Sequence, residues 1–244
     1  MLKDDISVVI IASNADKTIK ECLDNLKSFQ EVILYLNNSI DKTREIAKKY
    51  LNVKIIDGEF IGFGNTRNRA TSYASNNWIL SLDSDEILDD KIINEIKSQD
   101  YSNKHIIYVL KLDNHFLGKK TISRDFKERL FNKNHTKFND NEVHEKLIIK
   151  ESSIKVSLKE SIKHLNITDI NQTLTKMIKY TDLGAKDKKI CFFSIVILKA
   201  FFAFFQTYFL KGYIIDGWRG FTIAITYSNR RFYKYLKQFL NCQK

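Results

Sequence analysis

Four short apolar runs, each separated from the next by a stretch of helical periodicity, constrain this chain most. Ile6–Ala12, Glu31–Asn37, Val53–Asp57 and Trp78–Leu82 are rich in Val, Ile and Leu and too short to read as helices. Behind the first run, Ile19, Cys22, Leu23 and Leu26 fall on one helical face, with Ser13 and Asn14 ahead of them as capping side chains. Helices are expected again over about 42–49, 66–75 and 89–97, the middle one after a flexible loop containing Gly58, Gly62 and Gly64. Such alternation predicts an α/β fold with a mostly parallel sheet covered by helices on both faces. After Tyr101 the pattern changes to strands near 105–112, 127–131, 144–150 and 154–158, followed by a helix over about 169–185.

Open α/β sheets take their ligands at the carboxyl ends of the strands. The fourth run ends there in Asp83-Ser84-Asp85-Glu86. Two carboxylates one residue apart can hold a hard divalent cation against a phosphate. A solvated acidic turn fits the same letters, and Glu86 suits either a helix cap or a residue that orients a neighbour.

Composition sorts the remainder. The chain has 244 residues, 43% of them hydrophobic, enough for one large domain with an appendage. Cys22, Cys191 and Cys242 are far apart with no C-x-x-C spacing, which argues for a reducing compartment and against a disulfide scaffold or a zinc site. The chain enters a strand at once, with no basic segment followed by a cleavable apolar one, so the globular part is expected in the cytoplasm. The net charge of +11 is concentrated in one place. Residues 186–244 carry eleven Lys or Arg against two acids, and 190–244 hold 16 of the 30 Phe, Tyr and Trp. A nearly neutral domain is thus joined to a basic, aromatic tail.

Within that tail, residues 190–210 are almost wholly apolar apart from Lys199. Arg230, Arg231, Lys234 and Lys237 alternate with Phe232, Tyr233, Tyr235 and Phe239. This pattern suits a helix lying in the interface of an anionic bilayer, where each cation contributes about 1 kcal/mol. A spanning helix and a hydrophobic face that forms a homo-oligomer fit the same residues. Single-stranded nucleic acid also binds basic and aromatic mixtures. The Phe-rich run argues against that partner.

The order of motifs resembles the family-2 glycosyltransferases of GT-A fold, and within them the lipopolysaccharide-core β-1,4-glucosyltransferase group. The likeness rests on Ser7-Val-Val-Ile-Ile, Asn38-Ser39-Ile-Asp41-Lys-Thr43, Gly62-Phe-Gly64 with Arg67-Asn68, Leu82-Asp83-Ser-Asp85-Glu86, Asn114-His-Phe-Leu-Gly118, Arg129-Leu-Phe131 and Val143-His144-Glu145. The later Gly212-Tyr-Ile-Ile-Asp216-Gly217-Trp-Arg-Gly220 also looks like that group's tail. The resemblance implies a glycosyltransferase domain over 1–165, with a nucleotide-sugar half (1–100) and an acceptor half (101–165). Residues 166–244 would then be a helical membrane-associating region on the inner face of the cytoplasmic membrane, against anionic lipid. The donor it implies is a nucleotide-activated hexose, UDP-glucose by family, and the acceptor a lipopolysaccharide-core or other lipid-linked glycan.

By the same resemblance Asp85 would ligate Mg²⁺ or Mn²⁺, and Asp83 would reach the metal through water or contact the ribose. Inverting transfer needs a base opposite the leaving group. Glu145 is the candidate, with Asp140 and Glu142 as the other carboxylates nearby and an ion pair to Lys146 as its alternative role. His144 would meet the acceptor or a phosphate, or be structural. Asn14 and Asn38 lie where the family binds the nucleotide, Asn14 doubling as a helix cap. Arg67 and Asn68 would offer a guanidinium and an amide to phosphate or sugar oxygens, or simply start a helix. Arg129 would approach the diphosphate, or stay solvated. In one respect the chain departs from the family: Leu36 stands where an aspartate usually contacts the nucleotide. That departure leaves open a scaffold that binds sugar nucleotides without turning them over.

Overall fold

The computed structural model describes residues 6–141, 145–186 and 188–243. Its sheet has eight strands in the order β3-β2-β1-β4-β7-β6-β8-β5. The first four runs become β1 (Ile6–Ala12), β2 (Glu31–Asn37), β3 (Val53–Gly58) and β4 (Trp78–Asp83), mutually parallel. Two-residue β5 (Glu86–Ile87) follows, then β6 (Ile106–Phe116), β7 (Lys119–Asn132) and β8 (Ile154–Ile167). β7 runs antiparallel to β4, and β8 antiparallel to β5, so the sheet is mixed. Among the described residues, the expected strand over 144–150 is reduced to one bridge, Phe138 to Leu147, and residue 144 lies outside them.

Alternation along the parallel strands fills both faces. Val8, Ile10, Leu34, Leu80 and Leu82 meet Ile19, Cys22 and Leu23 of α1 (Ile19–Asp24) on one side, together with Ile92, Ile93 and Ile96 of α4 (Asp90–Lys97). On the other, Val9, Ile11, Ile33, Tyr35 and Ile79 pack under Ala70 of α3 (Phe63–Ser72). Each such buried aliphatic side chain contributes about 1.5–3 kcal/mol. Between β2 and β3 lies the short α2 (Thr43–Ala47). α4 is capped by Asp89, whose carboxylate accepts the Ile92 amide at 3.1 Å.

The chain divides into two compact units, residues 1–112 with 125–165, and residues 113–124 with 166–244. In the second, α5 (Ile170–Ala185), α6 (Phe193–Phe205) and α7 (Gly217–Gln243) are joined through a π-helical turn (Gln206–Leu210) and a 3-10 turn (Tyr213–Asp216). α7 lies between the other two helices: Ser228 Oγ donates to Ala200 O at 2.9 Å, and Gln238 Nε2 to Gly184 O at 2.9 Å. The tail glycines have physical reasons. Gly212 and Gly217 have φ of 76° and 58°, and a Cβ on Gly220 would lie 1.7 Å from Tyr213 O. Asp216 accepts the Ile122 amide of the 113–124 segment at 3.0 Å.

The cysteines depart from the expectation of unpaired thiols. Cys191 and Cys242 form a disulfide with Cα atoms 5.4 Å apart, while Cys22 is free and buried. Cys191, two residues before α6, and the last turn of α7 meet because the two helices run antiparallel, a proximity no sequence spacing reveals.

Candidate active site

The loops that follow β1 and β2 are fastened to each other. Asn14 Oδ1 accepts the Ile40 amide at 3.0 Å, Ser39 Oγ accepts the Asn14 amide at 3.1 Å, and Thr43 Oγ1 accepts the Ala15 amide at 2.8 Å. Asp41 accepts the Asp16 amide at 2.9 Å and the Thr43 hydroxyl at 2.6 Å. Asn14 therefore caps no helix; α1 starts at Ile19 after Thr18, and the Asn14 side chain serves the neighbouring loop. Asn14 and Asn38 both hold left-handed backbone, φ 51° and 53°, which asparagine tolerates better than most residues. Leu36 is packed in the core at 2% exposure, and Asn37 is the first β2 residue beyond it to reach the surface.

At the end of β4 the acidic segment is braced by two buried guanidinium groups. Asp83 accepts from Arg67 Nη2 on one oxygen and from Arg129 Nη2 on the other, the latter at 2.6 Å. Burial works against the Asp83 charge, but Arg129 and then Arg67 outweigh it and hold the carboxyl well below the ordinary range. Glu86 is fully buried against Arg129 and accepts the Asp83 amide at 3.1 Å. It caps no helix; burial, opposed by Arg129 and reinforced by Asp83 and Asp85, pushes its carboxyl above the ordinary value. Arg129 is 5% exposed, so the solvated alternative fails, and it serves as counter-ion to both acids.

The residues after the glycine loop are engaged by the protein's own groups. α3 begins at Phe63, so Gly64 is helical, and a Cβ there would lie 1.8 Å from Asn139 O. Arg67 is 2% exposed and gives N–H bonds to three protein partners. Nε meets Glu145 Oε1 at 3.0 Å, Nη1 meets Ser81 Oγ at 3.0 Å, and Nη2 meets Asp83. Its guanidinium also covers the Phe138 ring at 5.4 Å. Asn68 exchanges two hydrogen bonds with the Phe138 backbone, both 2.9 Å. Gly64, Arg67 and Asn68 thus hold the chain at Phe138, Asn139 and Glu145, and Arg67 links the Asp83 carboxylate to Glu145. His144 and Glu142 lie outside the described residues. Asp140 is exposed, and Glu145 pairs with Arg67, not Lys146.

Asp85 stands apart from this brace. Its backbone carbonyl accepts the Leu165 amide at 2.8 Å, and its carboxylate lies 3.8 Å from His164 Nε2. His164 escaped the sequence reading because only the antiparallel β5–β8 register places it opposite Glu86. Among the described residues no three His, Cys, Asp or Glu side chains converge as a fully protein-bound metal would need. Asp85 and His164 offer two donors, which fits an ion completed by diphosphate oxygens and water.

A motif series of this order on this sheet has a matching family model. The Glycosyl transferase family 2 domain covers residues 7–165. The chain belongs to this family. Relatives of this glycosyltransferase extend over nearly its whole length. An uncharacterized glycosyltransferase of Rickettsia conorii is 27% identical over 256 residues, covering 97% of this chain and 90% of that protein. One from Rickettsia typhi is 28% identical over 253 residues, covering 95% and 86%. Among solved structures, S. aureus TarS 1-349 in complex with UDP-GlcNAc is 18% identical, with a TM-score of 0.43 over 64% of this chain and 59% of that one. The mannosyltransferase PcManGT from Pyrobaculum calidifontis, in complex with GDP-Man and Mn²⁺, is 18% identical with a TM-score of 0.37 over 46% and 35%. The fold of the family-2 enzyme is GT-A-like, a mixed sheet flanked by helices.

Proposed function

We propose that this family-2 glycosyltransferase is metal-dependent and inverting, moving a hexose from a nucleotide sugar to a lipid-linked glycan. UDP-glucose and a lipopolysaccharide-core acceptor are the donor and acceptor implied by the motif resemblance. The observation that carries the reading is the single buried Arg67 side chain that joins Asp83, at the end of β4, to Glu145. A divalent cation at Asp85 and His164 would neutralise the charge that develops on the departing diphosphate. Glu145 accepts the proton of the acceptor hydroxyl as its oxygen bonds to the anomeric carbon and the carbon–diphosphate bond breaks. Arg67 sets the direction of the Glu145 carboxylate, Arg129 and Arg67 keep Asp83 charged, and Glu86 holds its backbone amide. Asn14, Asn37 and Asn38 border the place of the nucleotide, where amides supply hydrogen bonds without charge.

Attachment to the inner face of the cytoplasmic membrane is part of the proposal. Phe193–Leu210 has mean hydropathy 1.7 over 18 residues, long and apolar enough to cross a bilayer by length and composition. Its seam with α7 buries Val196 and Ala203. Leu198 (65%), Phe201 (67%) and Phe202 (57%) are exposed, beside Trp218 of α7 (59%). Lys199, Lys211 and Arg219 lie over the Tyr235, Tyr227 and Trp218 rings. That combination suits an in-plane helix against anionic lipid. Association of two copies through the same helices is the competing use of this surface.

Release of free nucleotide from a panel of nucleotide sugars, with and without Mn²⁺, tests the reading. Turnover should need the ion, fall to background in Asp85→Asn, and fall strongly in Glu145→Gln. A scaffold that binds sugar nucleotides without transfer is the second reading, favoured by Leu36 in the core. Binding without turnover of any donor would select it.

A further inference from the structure

The opposite end of the sheet carries a feature the glycosyl-transfer site does not use. Asn132 of β7 pairs with Trp78 at the start of β4, whereas Asp83 ends that strand. At about 3.3 Å per residue the two ends are roughly 17 Å apart. Beyond Asn132 lies a cavity of about 240 Å³ lined by Lys133, His135, Thr136, Lys137, Ile148 and Lys150. No carboxylate lines it, and none of its three lysines forms an ion pair among the described residues.

The walls are built from fixed backbone. Ile148 N donates to Lys137 O at 2.9 Å, Lys150 N to Ser153 Oγ at 3.1 Å, and the buried His135 ring contacts Ser153 Oγ at 2.9 Å through Nε2. The His105 ring stands edge-on to His135 at 4.6 Å, with its buried Nδ1 lacking a partner among the described residues. Burial, His105, Lys150 and Lys104 together hold the His135 imidazole below its ordinary value. Three lysines lining one cavity with no carboxylate among its lining residues raise the local concentration of anions.

We propose that this cavity is a phosphate-binding site, separate from the glycosyl-transfer site, that takes the phosphate group of a second ligand. Lys137 and Lys150, both exposed at the rim, contribute charge, and the Thr136 and His135 region forms the polar floor. Lys133 donates its ammonium to Ala74 O at 2.6 Å, so it adds field while anchored to the first unit's backbone. The phosphate could belong to a soluble ester or to a lipid headgroup; the chemistry recognised is the same.

Isothermal titration of the full chain with inorganic pyrophosphate, in EDTA to keep divalent ions out, tests the site. Saturable binding is expected, weakened at least tenfold in a Lys137→Ala/Lys150→Ala variant whose thermal stability and donor turnover are unchanged, and retained in Asp85→Asn. Absence of saturable heat overturns the proposal. Equal affinity in the double variant, or loss of binding in Asp85→Asn, overturns it too, since either locates the anion elsewhere. Competition then separates the sources: pyrophosphate displaced by phosphatidic acid vesicles but not by phosphatidylserine vesicles of equal charge assigns a lipid phosphate, and displacement by neither assigns a soluble one.

Discussion

Arg67→Met is the substitution that separates positioning from ligand binding. It keeps the aliphatic stem and removes three bonds, to Glu145, Ser81 and Asp83, at a residue that is 2% exposed. Removing one partner of a buried ion pair costs about 3–5 kcal/mol. Here the Asp83 and Glu145 side chains are 34% and 17% exposed, and Asp83 keeps Arg129, so solvent screening lowers the expectation to about 2–4 kcal/mol. In a chain of this size that is a fall in Tm of about 4–16 °C. The catalytic loss is separate. A carboxylate displaced by about 1 Å loses on the order of 100-fold in rate. Steady-state transfer at a temperature where the variant is folded should show that loss in kcat, with KM for the nucleotide sugar nearly unchanged. A raised KM with kcat intact would refute the reasoning, because it would place the guanidinium on the donor. An unchanged Tm would refute the energetic half.

Gly64→Ala should act through the same loop from the other side. Its new Cβ meets Asn139 O at 1.8 Å, so the 138–141 backbone must move, and kcat should fall together with stability by more than about 1 kcal/mol. Reduction of the Cys191–Cys242 bridge, which closes a 51-residue loop, should destabilise the helical unit by up to about 4 kcal/mol, read from urea unfolding with and without dithiothreitol. Coincident curves would remove any stabilising role. Burial opposes the charge of Glu31, but bonds from Ser7 and Ser75 lower its carboxyl below the ordinary value, so it adds stability above the unfolded-state pKa of about 4.3 that is lost as pH falls through the lower folded value. Glu31→Gln should therefore flatten the acid limb of Tm against pH, and an identical limb would rule this out.

Strand positions in the first half were legible because β1, β2 and β4 are apolar on both faces of a covered sheet, and all three fall where periodicity puts them. Helix starts were harder. Gly62 and Gly64 read as loop, yet Gly64 lies inside α3, at a position where only a residue without a side chain lets Asn139 O approach. The acidic segment was legible as a place, whereas the division of labour among its residues was not. Glu86 and Arg129 find each other only once β7 is added antiparallel to β4, and His164 meets Asp85 only through β8. Pairings between distant segments, such as Asn68 with Phe138 or Cys191 with Cys242, leave no local trace in composition or spacing.

The Ile122–Asp216 hydrogen bond spans 94 residues of chain, and its consequence is one of timing. At roughly 5–20 residues per second, ribosomal synthesis emits the 113–124 tip about 5–20 seconds before Asp216 exists. For that interval Ile122 has no Gly212 to rest on and its amide has no carboxylate acceptor. The nascent enzyme therefore passes through a window in which a β-hairpin tip with unsatisfied edges waits for the end of its own message. A ribosome pause placed within residues 125–212 would lengthen that exposure, with chaperone occupancy as its readout.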